Sequence, residues 1–162
     1  SIVFITCVTN RRYPYLMHEE NLELFMTTVK AVQRIHPFDI LAYVLLPDHF
    51  HWLIQLPEDQ SNFSRFMQSV KWNYTYNYKH HHNIDERLTL WQRGFYDHVI
   101  RDDKDFKFHL DYIHWNPVKH NLVVTPNKWR YSSLKTWVEK GLYPEDACNR
   151  GYIDELIKYN FE

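Results

Sequence analysis

Hydrophobic residues along the chain follow two periods, one typical of strands and the other typical of helices. Four short segments are rich in β-branched and aromatic residues and are bounded by turn residues, which predicts strands over 2–9, 38–47, 49–57 and 95–101. Three longer segments carry apolar residues at helical spacing. They predict helices over 18–36, over the stretch from Ser61 to the histidines 80–82, and over 102–116.

Turn and cap residues set the expected ends of these elements. Ser61 is suited to cap the second helix. The first and third helices are expected to stop before Pro37 and Pro117, because a proline disfavours the helical conformation in the residue that precedes it. Only a tight turn around Pro47-Asp48 separates the second and third strands, so these two strands should form a hairpin.

The order of the predicted elements is βαββαβα. This order indicates an α+β domain of the ferredoxin-like type, in which helices pack on one face of a four-stranded antiparallel sheet. We expect a single domain over 1–162, with a core over about 1–118 and an irregular or helical extension over about 119–162.

Composition narrows the classes of function. Of the 162 residues, 44% are apolar and 24% are charged, which is typical of a globular domain. There are only three glycines and no Gly-rich phosphate-binding motif, so a nucleotide-binding loop is not expected. The net charge is −1, but residues 61–101 contain six Lys and Arg against three acids, which makes the middle of the chain basic.

Cysteine usage and hydropathy bear on location. Cys7 and Cys148 form no C-x-x-C pair, which favours a reduced, cytoplasmic protein. No apolar run approaches the roughly 18 residues that a membrane-spanning helix needs. The opening segment is too short for a signal peptide and starts at once as a strand, so we expect the natural chain to begin a little earlier.

Two histidines, His49 and His51, stand one residue apart in "LLPDHFHWLIQLP" (45–57). Side chains alternate along a strand, so both imidazoles should point to one face, where they can chelate one divalent ion. Taken alone, the pair fits incidental histidines on a wet strand edge better than a metal site, because a metal needs at least one further ligand.

A second candidate stretch is "DYIHWNP" (111–117), in which Tyr112 and Asn116 share one helix face. A tyrosine hydroxyl can act as a covalent nucleophile, and an amide oxygen can bind a hard cation. Tyr112 is expected at the edge of the core face, close to the sheet but reachable. Taken alone, the stretch fits a packed tyrosine and a helix end better than a catalytic pair.

Together the two stretches resemble the HUH single-tyrosine transposases, and among these the REP-associated tyrosine transposases. The resemblance covers most of the chain, although the N-terminal end of the family pattern is clipped here. It rests on the order and spacing of the blocks "VLLPDHFHWLIQLP", "SVKWNYTYNY", "LWQRGFYDHVIRD", "DYIHWNPVKHNLV" and "WRYSSLKTW".

The resemblance implies a site and a reaction. Tyr112 would be the nucleophile that forms a 5′-phosphotyrosine, and His49, His51 and Asn116 would hold Mg²⁺ or Mn²⁺. The substrate would be single-stranded DNA next to the hairpin of a repeat element, in DNA transposition or repeat mobilisation. The protein would be a bacterial, cytoplasmic monomer or homodimer that associates with the nucleoid through DNA.

The basic middle of the chain interleaves charge with aromatic rings, which suits phosphates and unpaired bases respectively. Lys71 is expected to flank the active groove. The predicted DNA contacts are Arg11, Arg12, Lys71, Trp72, Trp91, Arg93 and Arg101. Two histidines are accessory candidates: His98 for lining the same groove, and His109, one turn before Tyr112, for helping it lose its proton. Taken alone, His109 fits a surface histidine better.

Two other functions are alternatives to the transposase. A domain that binds DNA or RNA hairpins without cutting them stays open, and it would tolerate the loss of Tyr112. A histidine phosphoesterase does not fit, because the histidine-triad pattern needs a third alternating histidine and position 53 is leucine.

Overall fold

The computed structural model of the protein describes residues 1–59, 62–143 and 154–162, so Ser61 and Cys148 lie outside the described residues. The four predicted strands are present as β1 (Ile2–Val8), β2 (Asp39–Leu45), β3 (His49–Gln55) and β4 (Tyr96–Val99). The predicted helices are present as α1 (Glu19–Ile35), α2 (Phe63–His81) and α3 (Asp103–Lys119), and a short α4 (Leu134–Glu139) follows. Two 3₁₀ turns span Asn10–Arg12 and Pro126–Lys128.

The four strands form one antiparallel sheet in the order β2-β3-β1-β4, as the sequence predicts for an α+β fold. Strands β1 and β3 occupy the centre, where Thr6 pairs with His51 and Val8 pairs with His49. A central strand has both edges hydrogen-bonded. The two histidines are therefore held on the most constrained part of the sheet.

Helices cover both faces of the sheet, which corrects the expected packing on one face. Ile5 and Trp52 point into a core cluster with α1 and α2. Phe4 and Leu53, their neighbours along β1 and β3, point into a second cluster with α3. Strands β1 and β3 place buried apolar side chains on both faces of the sheet, so each face needs a cover.

Helix α3 continues through Pro117 to Lys119, whereas the sequence predicts an end before the proline. The ring removes one backbone donor, but this loss falls in the last turn of the helix. The backbone N–H of His120 still donates to Asn116 O at 3.1 Å, and that of Leu122 to Pro117 O at 2.9 Å. Lys119 and His120 therefore follow Tyr112 and Asn116 at helical spacing, on the same side of the helix.

The residues that follow α3 pack along β2. The indole Nε1 of Trp129 donates to Leu45 O at 2.9 Å, and that of Trp137 donates to Leu41 O at 3.0 Å. These contacts extend the cover on the α3 face towards the β2 edge. Within the described part of the chain, we find no helix that is both long and apolar enough to traverse a bilayer.

Candidate active site

The four residues singled out by the sequence meet between β3 and α3. The rings of His49 and His51 lie on one face of β3 with their centroids 5.0 Å apart, and the two residues are 1% and 0% exposed. From α3, the amide oxygen of Asn116 lies 3.2 Å from His49 Nε2, and the Tyr112 ring lies 5.2 Å from that of His51. Strand and helix periodicity place each pair on one face, and the packing of α3 on the sheet brings the two pairs together, as the family resemblance implied.

Neighbouring side chains fix the orientation of both imidazoles. Asp48 Oδ1 lies 2.6 Å from His49 Nδ1, and Thr6 Oγ1 lies 2.7 Å from His51 Nδ1. With each Nδ1 occupied in this way, both Nε2 atoms are directed into the space beside Asn116. A carboxylate behind a ligating imidazole is a common support in protein metal sites, because it fixes the tautomer and raises the basicity of the other nitrogen.

A carboxylate enters the same space from residues 159–162, which we call the closing segment. Glu162 Oε1 lies 2.8 Å from His120 Nε2, 3.3 Å from His49 Nε2 and 3.6 Å from His51 Nε2. Its side chain is buried, and the other oxygen pairs with Arg12 Nη2 at 3.2 Å. Glu162 thus gives the site the negative charge that two histidines and an asparagine lack.

The charges of this cluster depend on one another. Burial alone would raise the pKa of Glu162, but hydrogen bonds from His120 and His49 hold it well below its usual range. Burial alone would lower the pKa of His49, but Asp48 and Glu162 raise it above its usual value. Burial dominates at His51 and lowers its pKa to about 3, so this ring is neutral near pH 7.

The site has the features of a divalent-metal site. His51 Nε2 and Asn116 Nδ2 are buried without a hydrogen-bond partner among the described residues, an arrangement that costs about 1–3 kcal/mol for each atom. Ligand atoms of His49, His120 and Glu162 also lie within 4.8 Å of one another. Imidazole nitrogens and side-chain oxygens together suit a divalent cation, so the residues present fit a metal ion.

The hydroxyl of Tyr112 is enclosed, not reachable as the sequence suggested. Its Oη accepts hydrogen bonds from Lys119 Nζ at 2.9 Å and from Phe161 N at 3.4 Å, and the residue is 1% exposed. Phe161 also packs on the Tyr112 ring, with the centroids 4.9 Å apart. Burial and then the charge of Glu162 raise the pKa of Tyr112. The closing segment therefore covers Oη in this structure.

Comparison with known proteins identifies the family. A sequence model of the family described as "Transposase IS200 like" matches residues 2–116, a range that contains both histidines, Tyr112 and Asn116. A REP-associated tyrosine transposase of Escherichia coli K12 is 35% identical over 143 residues, which cover 88% of this chain and 81% of the relative. The chain belongs to the REP-associated tyrosine transposases.

Further comparisons agree with this transposase family. A relative from Haemophilus influenzae is 35% identical over 150 residues, covering 88% of this chain and 84% of its own. The solved structure of a REP-associated tyrosine transposase bound to a REP hairpin is 33% identical, with a TM-score of 0.76 over 88% of this chain and 82% of that one. A structure from Deinococcus radiodurans, 13% identical, shares the fold with a TM-score of 0.53 over 66% of this transposase and 84% of that chain.

One pair of predicted DNA-contact residues lies at the rim of the transposase site. Arg12 bridges the cluster, with Nη1 3.3 Å from Asp48 Oδ2 and Nη2 3.2 Å from Glu162 Oε2. Arg11 is exposed beside it, and both arginines have positive φ angles, 55° and 53°. The predicted DNA contacts of Arg11 and Arg12 stay predictions.

Lys71 and its neighbours lie on the opposite face of the sheet, which corrects the expectation that Lys71 flanks the active groove. Its Nζ donates to Gln92 O at 2.8 Å and to Gly94 O at 2.7 Å, so it ties α2 to the loop before β4. That loop carries Arg93, which is exposed. A groove of about 910 Å³ runs between α2 and the loop, and none of the described residues that line it is acidic.

The two candidate tryptophans of this groove differ in burial. Trp72 is 66% exposed and stacks on the exposed Tyr76, with the rings 5.7 Å apart and 12° from parallel. Trp91 is 6% exposed and packs against Phe25, Phe50 and Tyr74. Trp91 is therefore a core residue without a free face for a nucleobase, while Trp72 has one.

His98, Arg101 and His109 gather around Asp105 instead of lining the site. Asp105 Oδ2 lies 2.8 Å from His98 Nε2 and 3.0 Å from Arg101 Nε. His109 places its Nδ1 2.9 Å from the backbone oxygen of Asp105, and its ring stacks on that of His98. Tyr112 Oη is directed towards Lys119. The contacts of His109 thus give no support to a role in deprotonating Tyr112, while the predicted DNA contact of Arg101 stays a prediction.

Four residues of the site were not predicted from the sequence: Asp48, Lys119, His120 and Glu162. His120 follows Asn116 by four residues, so the helix periodicity that linked Tyr112 to Asn116 would have found it had the helix been continued past Pro117. Asp48 adjoins His49 and offered a local signal. Glu162 offered none, because its contacts are made across most of the chain.

Proposed function

We propose that this transposase cuts and rejoins single-stranded DNA next to a hairpin, with Tyr112 as the nucleophile. The observation that carries the proposal is the convergence of His49 Nε2, His51 Nε2 and the Asn116 amide oxygen in a buried space beside Tyr112. A related transposase has been solved with a REP hairpin, which supports the choice of substrate.

His49, His51 and Asn116 would hold the metal ion, and Asp48 and Thr6 would keep both imidazoles oriented towards it. The bound ion, Mg²⁺ or Mn²⁺, would supply Lewis-acid polarisation of the scissile phosphate. Two neutral imidazoles and an amide favour Mn²⁺ over Mg²⁺, because imidazole suits transition metals better.

The reaction is a pair of transesterifications at phosphorus. Tyr112 Oη loses its proton to water and bonds to phosphorus, the P–O3′ bond breaks, and the departing O3′ takes up a proton from water. The products are a 5′-phosphotyrosine and a free 3′-OH. Attack by a 3′-OH on the phosphotyrosine reverses each bond change and joins strands without an external energy source.

Access to the site requires the closing segment to leave. Glu162 lies within 3.6 Å of both histidine Nε2 atoms, and Phe161 covers the Tyr112 ring. A DNA phosphate carries the same charge as the carboxylate and would take its place among His120, Arg12 and the metal. The described conformation is accordingly the resting form of the proposed enzyme.

The groove between α2 and the loop before β4 is the proposed path for unpaired DNA. Lys79 and Arg87 line it beside Lys71, and Trp72 with Tyr76 gives a flat stack on which bases can lie. The loop joins β4, whose partner β1 pairs with the histidine strand. A single DNA strand that leaves the site and passes around the β4 edge of the sheet would therefore enter the groove.

The decisive experiment is a search for the covalent adduct. An oligonucleotide with a hairpin and a single-stranded tail, labelled at its 3′ end, is incubated with the transposase and Mn²⁺ and run on a denaturing protein gel. We expect a shifted band that is lost in Tyr112→Phe and kept in the control Tyr131→Phe. The same oligonucleotide labelled at its 5′ end should give only a shorter free strand.

Two outcomes would contradict the proposal. Unchanged adduct in Tyr112→Phe would mean that Tyr112 is not the nucleophile. Tight hairpin binding without any adduct would instead favour the binding domain that recognises hairpins and does not cut them.

A further inference from the structure

Lys119 is buried beside the proposed nucleophile. It lies seven residues after Tyr112, which is about two helical turns, so both side chains project from one face of α3. Its Nζ donates to Tyr112 Oη at 2.9 Å and lies 4.9 Å from the centre of the ring. Only 14% of its side chain is exposed. A lysine is rarely buried to this extent without partners that offset the loss of hydration.

Among the residues that the structure describes, the other polar partners of Lys119 belong to the closing segment. Nζ donates to Tyr159 O at 2.9 Å and lies 3.6 Å from Glu162 Oε1. When this segment leaves, Tyr112 Oη is the partner that stays, because it is carried by the same helix. The short distance between Lys119 Nζ and Tyr112 Oη therefore does not depend on the closing segment, because both residues belong to α3.

We propose that Lys119 is a further catalytic residue, whose ammonium stabilises the negative charge that Tyr112 Oη carries during both transesterifications. This inference rests on the proposed role of Tyr112 as the nucleophile. A positive charge placed in advance beside an oxygen on which charge develops is among the most effective ways to lower a reaction barrier.

The benefit is clearest in the joining step. A DNA 3′-OH loses its proton to water and bonds to phosphorus, the P–Oη bond breaks, and its electron pair goes to Oη. The phenolate then accepts the Lys119 hydrogen bond until it takes up a proton from water. Lys119 keeps its own protons throughout and acts as a charged hydrogen-bond donor, so the same contact assists the cutting step.

The obvious rival is a tether, in which Lys119 only holds the closing segment in place. The two roles predict opposite effects of one substitution. Without a tether, the segment would open more often and adduct formation would become faster. Without a catalytic cation, adduct formation would become slower whether or not the segment is bound.

The test uses Lys119→Met and Lys119→Arg in the full chain, each with Glu162 and with Glu162→Gln, and follows adduct formation in single-turnover assays with Mn²⁺. We expect Lys119→Met to slow the reaction by roughly 100-fold in both backgrounds, and Lys119→Arg, which keeps the cation, to recover most of the rate. Hairpin affinity and Mn²⁺ affinity, measured separately, should change by less than about threefold.

An unchanged or faster reaction in Lys119→Met would overturn the inference, and so would equal rates for Lys119→Met and Lys119→Arg. If Lys119→Met does not fold, as judged by its thermal transition, Lys119→Gln serves in its place with the same expectations. These outcomes are separate from failure of the proposed function, in which the unaltered protein gives no adduct or Tyr112→Phe keeps it.

Discussion

The Asn116 amide oxygen lies 3.2 Å from His49 Nε2, so a hydrogen-bond acceptor on α3 faces a ring nitrogen on β3. His49 Nδ1 is already paired with Asp48. If Nδ1 carries the only ring proton, Nε2 and the amide oxygen both offer electron pairs, and a cation between them relieves their repulsion. A proton on Nε2 or a metal ion can fill this position.

This relationship predicts that Asn116→Asp will tighten Mn²⁺ binding. The carboxylate would add a negative charge to a donor set in which both histidines and Asn116 are neutral. We expect an affinity increase of about tenfold by calorimetry near pH 7. Asn127→Asp, on the exposed turn after α3, is the control and should leave the affinity unchanged. Equal behaviour of the two variants would count against Asn116 as a ligand.

The closing segment predicts a gain of activity in Phe161→Ala. This change removes the ring that packs on Tyr112, Phe4 and Tyr96. Losing about 1–2 kcal/mol of the free energy that docks the closing segment would raise the fraction of molecules with an open site roughly 5- to 30-fold. The rate of adduct formation should rise by the same factor. Ile157→Ala, at an exposed position just before the segment, should leave the rate unchanged. A slower reaction in Phe161→Ala would show that the segment assists catalysis.

Docking of the closing segment should depend on pH in a definite window. The pKa of Glu162 is lowered in the folded state. The stability that Glu162 adds to the docked segment is therefore present above the usual pKa of 4.5 and is lost as the pH falls. The pKa of His49 is raised in the folded state. The stability that His49 adds to the docked segment is therefore present below the usual pKa of 6.5 and is lost as the pH rises. Protection of peptide 156–162 from hydrogen exchange should therefore peak between about pH 4.5 and 6.5 in metal-free protein.

Glu162→Gln tests the acid side of this window. The amide does not titrate, so the variant should show weaker protection overall and no loss of protection as the pH falls below about 4.5. Protection that still falls at low pH in Glu162→Gln would assign the acid limit to another group.

The groove beside α2 predicts a binding defect in Trp72→Ala. Removing an exposed ring on which a base can stack should weaken binding of single-stranded DNA by about 1–2 kcal/mol, or roughly 5- to 30-fold. Trp72→Phe keeps a flat aromatic face and should retain most of the affinity. Fluorescence anisotropy with a labelled single strand measures both. Unchanged affinity in Trp72→Ala would remove this groove from the DNA path.

Local periodicity was enough to find the strands and the helices, and it placed the members of each candidate pair on one face. Alternation places His49 and His51 on one face of β3, and the helical repeat places Tyr112 and Asn116 on one face of α3. These relationships need only short-range geometry. The meeting of the two pairs was expected from the family resemblance and not from either pattern alone.

Long-range packing decided what the sequence could not. Trp72 and Trp91 look alike in the sequence, and only the packing of α2 against the sheet leaves one exposed and the other buried. The proline rule failed at Pro117 because backbone bonds of His120 and Leu122 keep the last turn of α3. Glu162 enters through contacts that no local pattern encodes.

One consequence follows from the origin of the reacting groups. The two histidines come from one strand and the tyrosine–asparagine pair from one helix of the same polypeptide. Under the proposed function, each chain would therefore carry all four of these residues itself. Mixing His49→Ala chains with Tyr112→Phe chains would create no intact centre, so two inactive partners should stay inactive together.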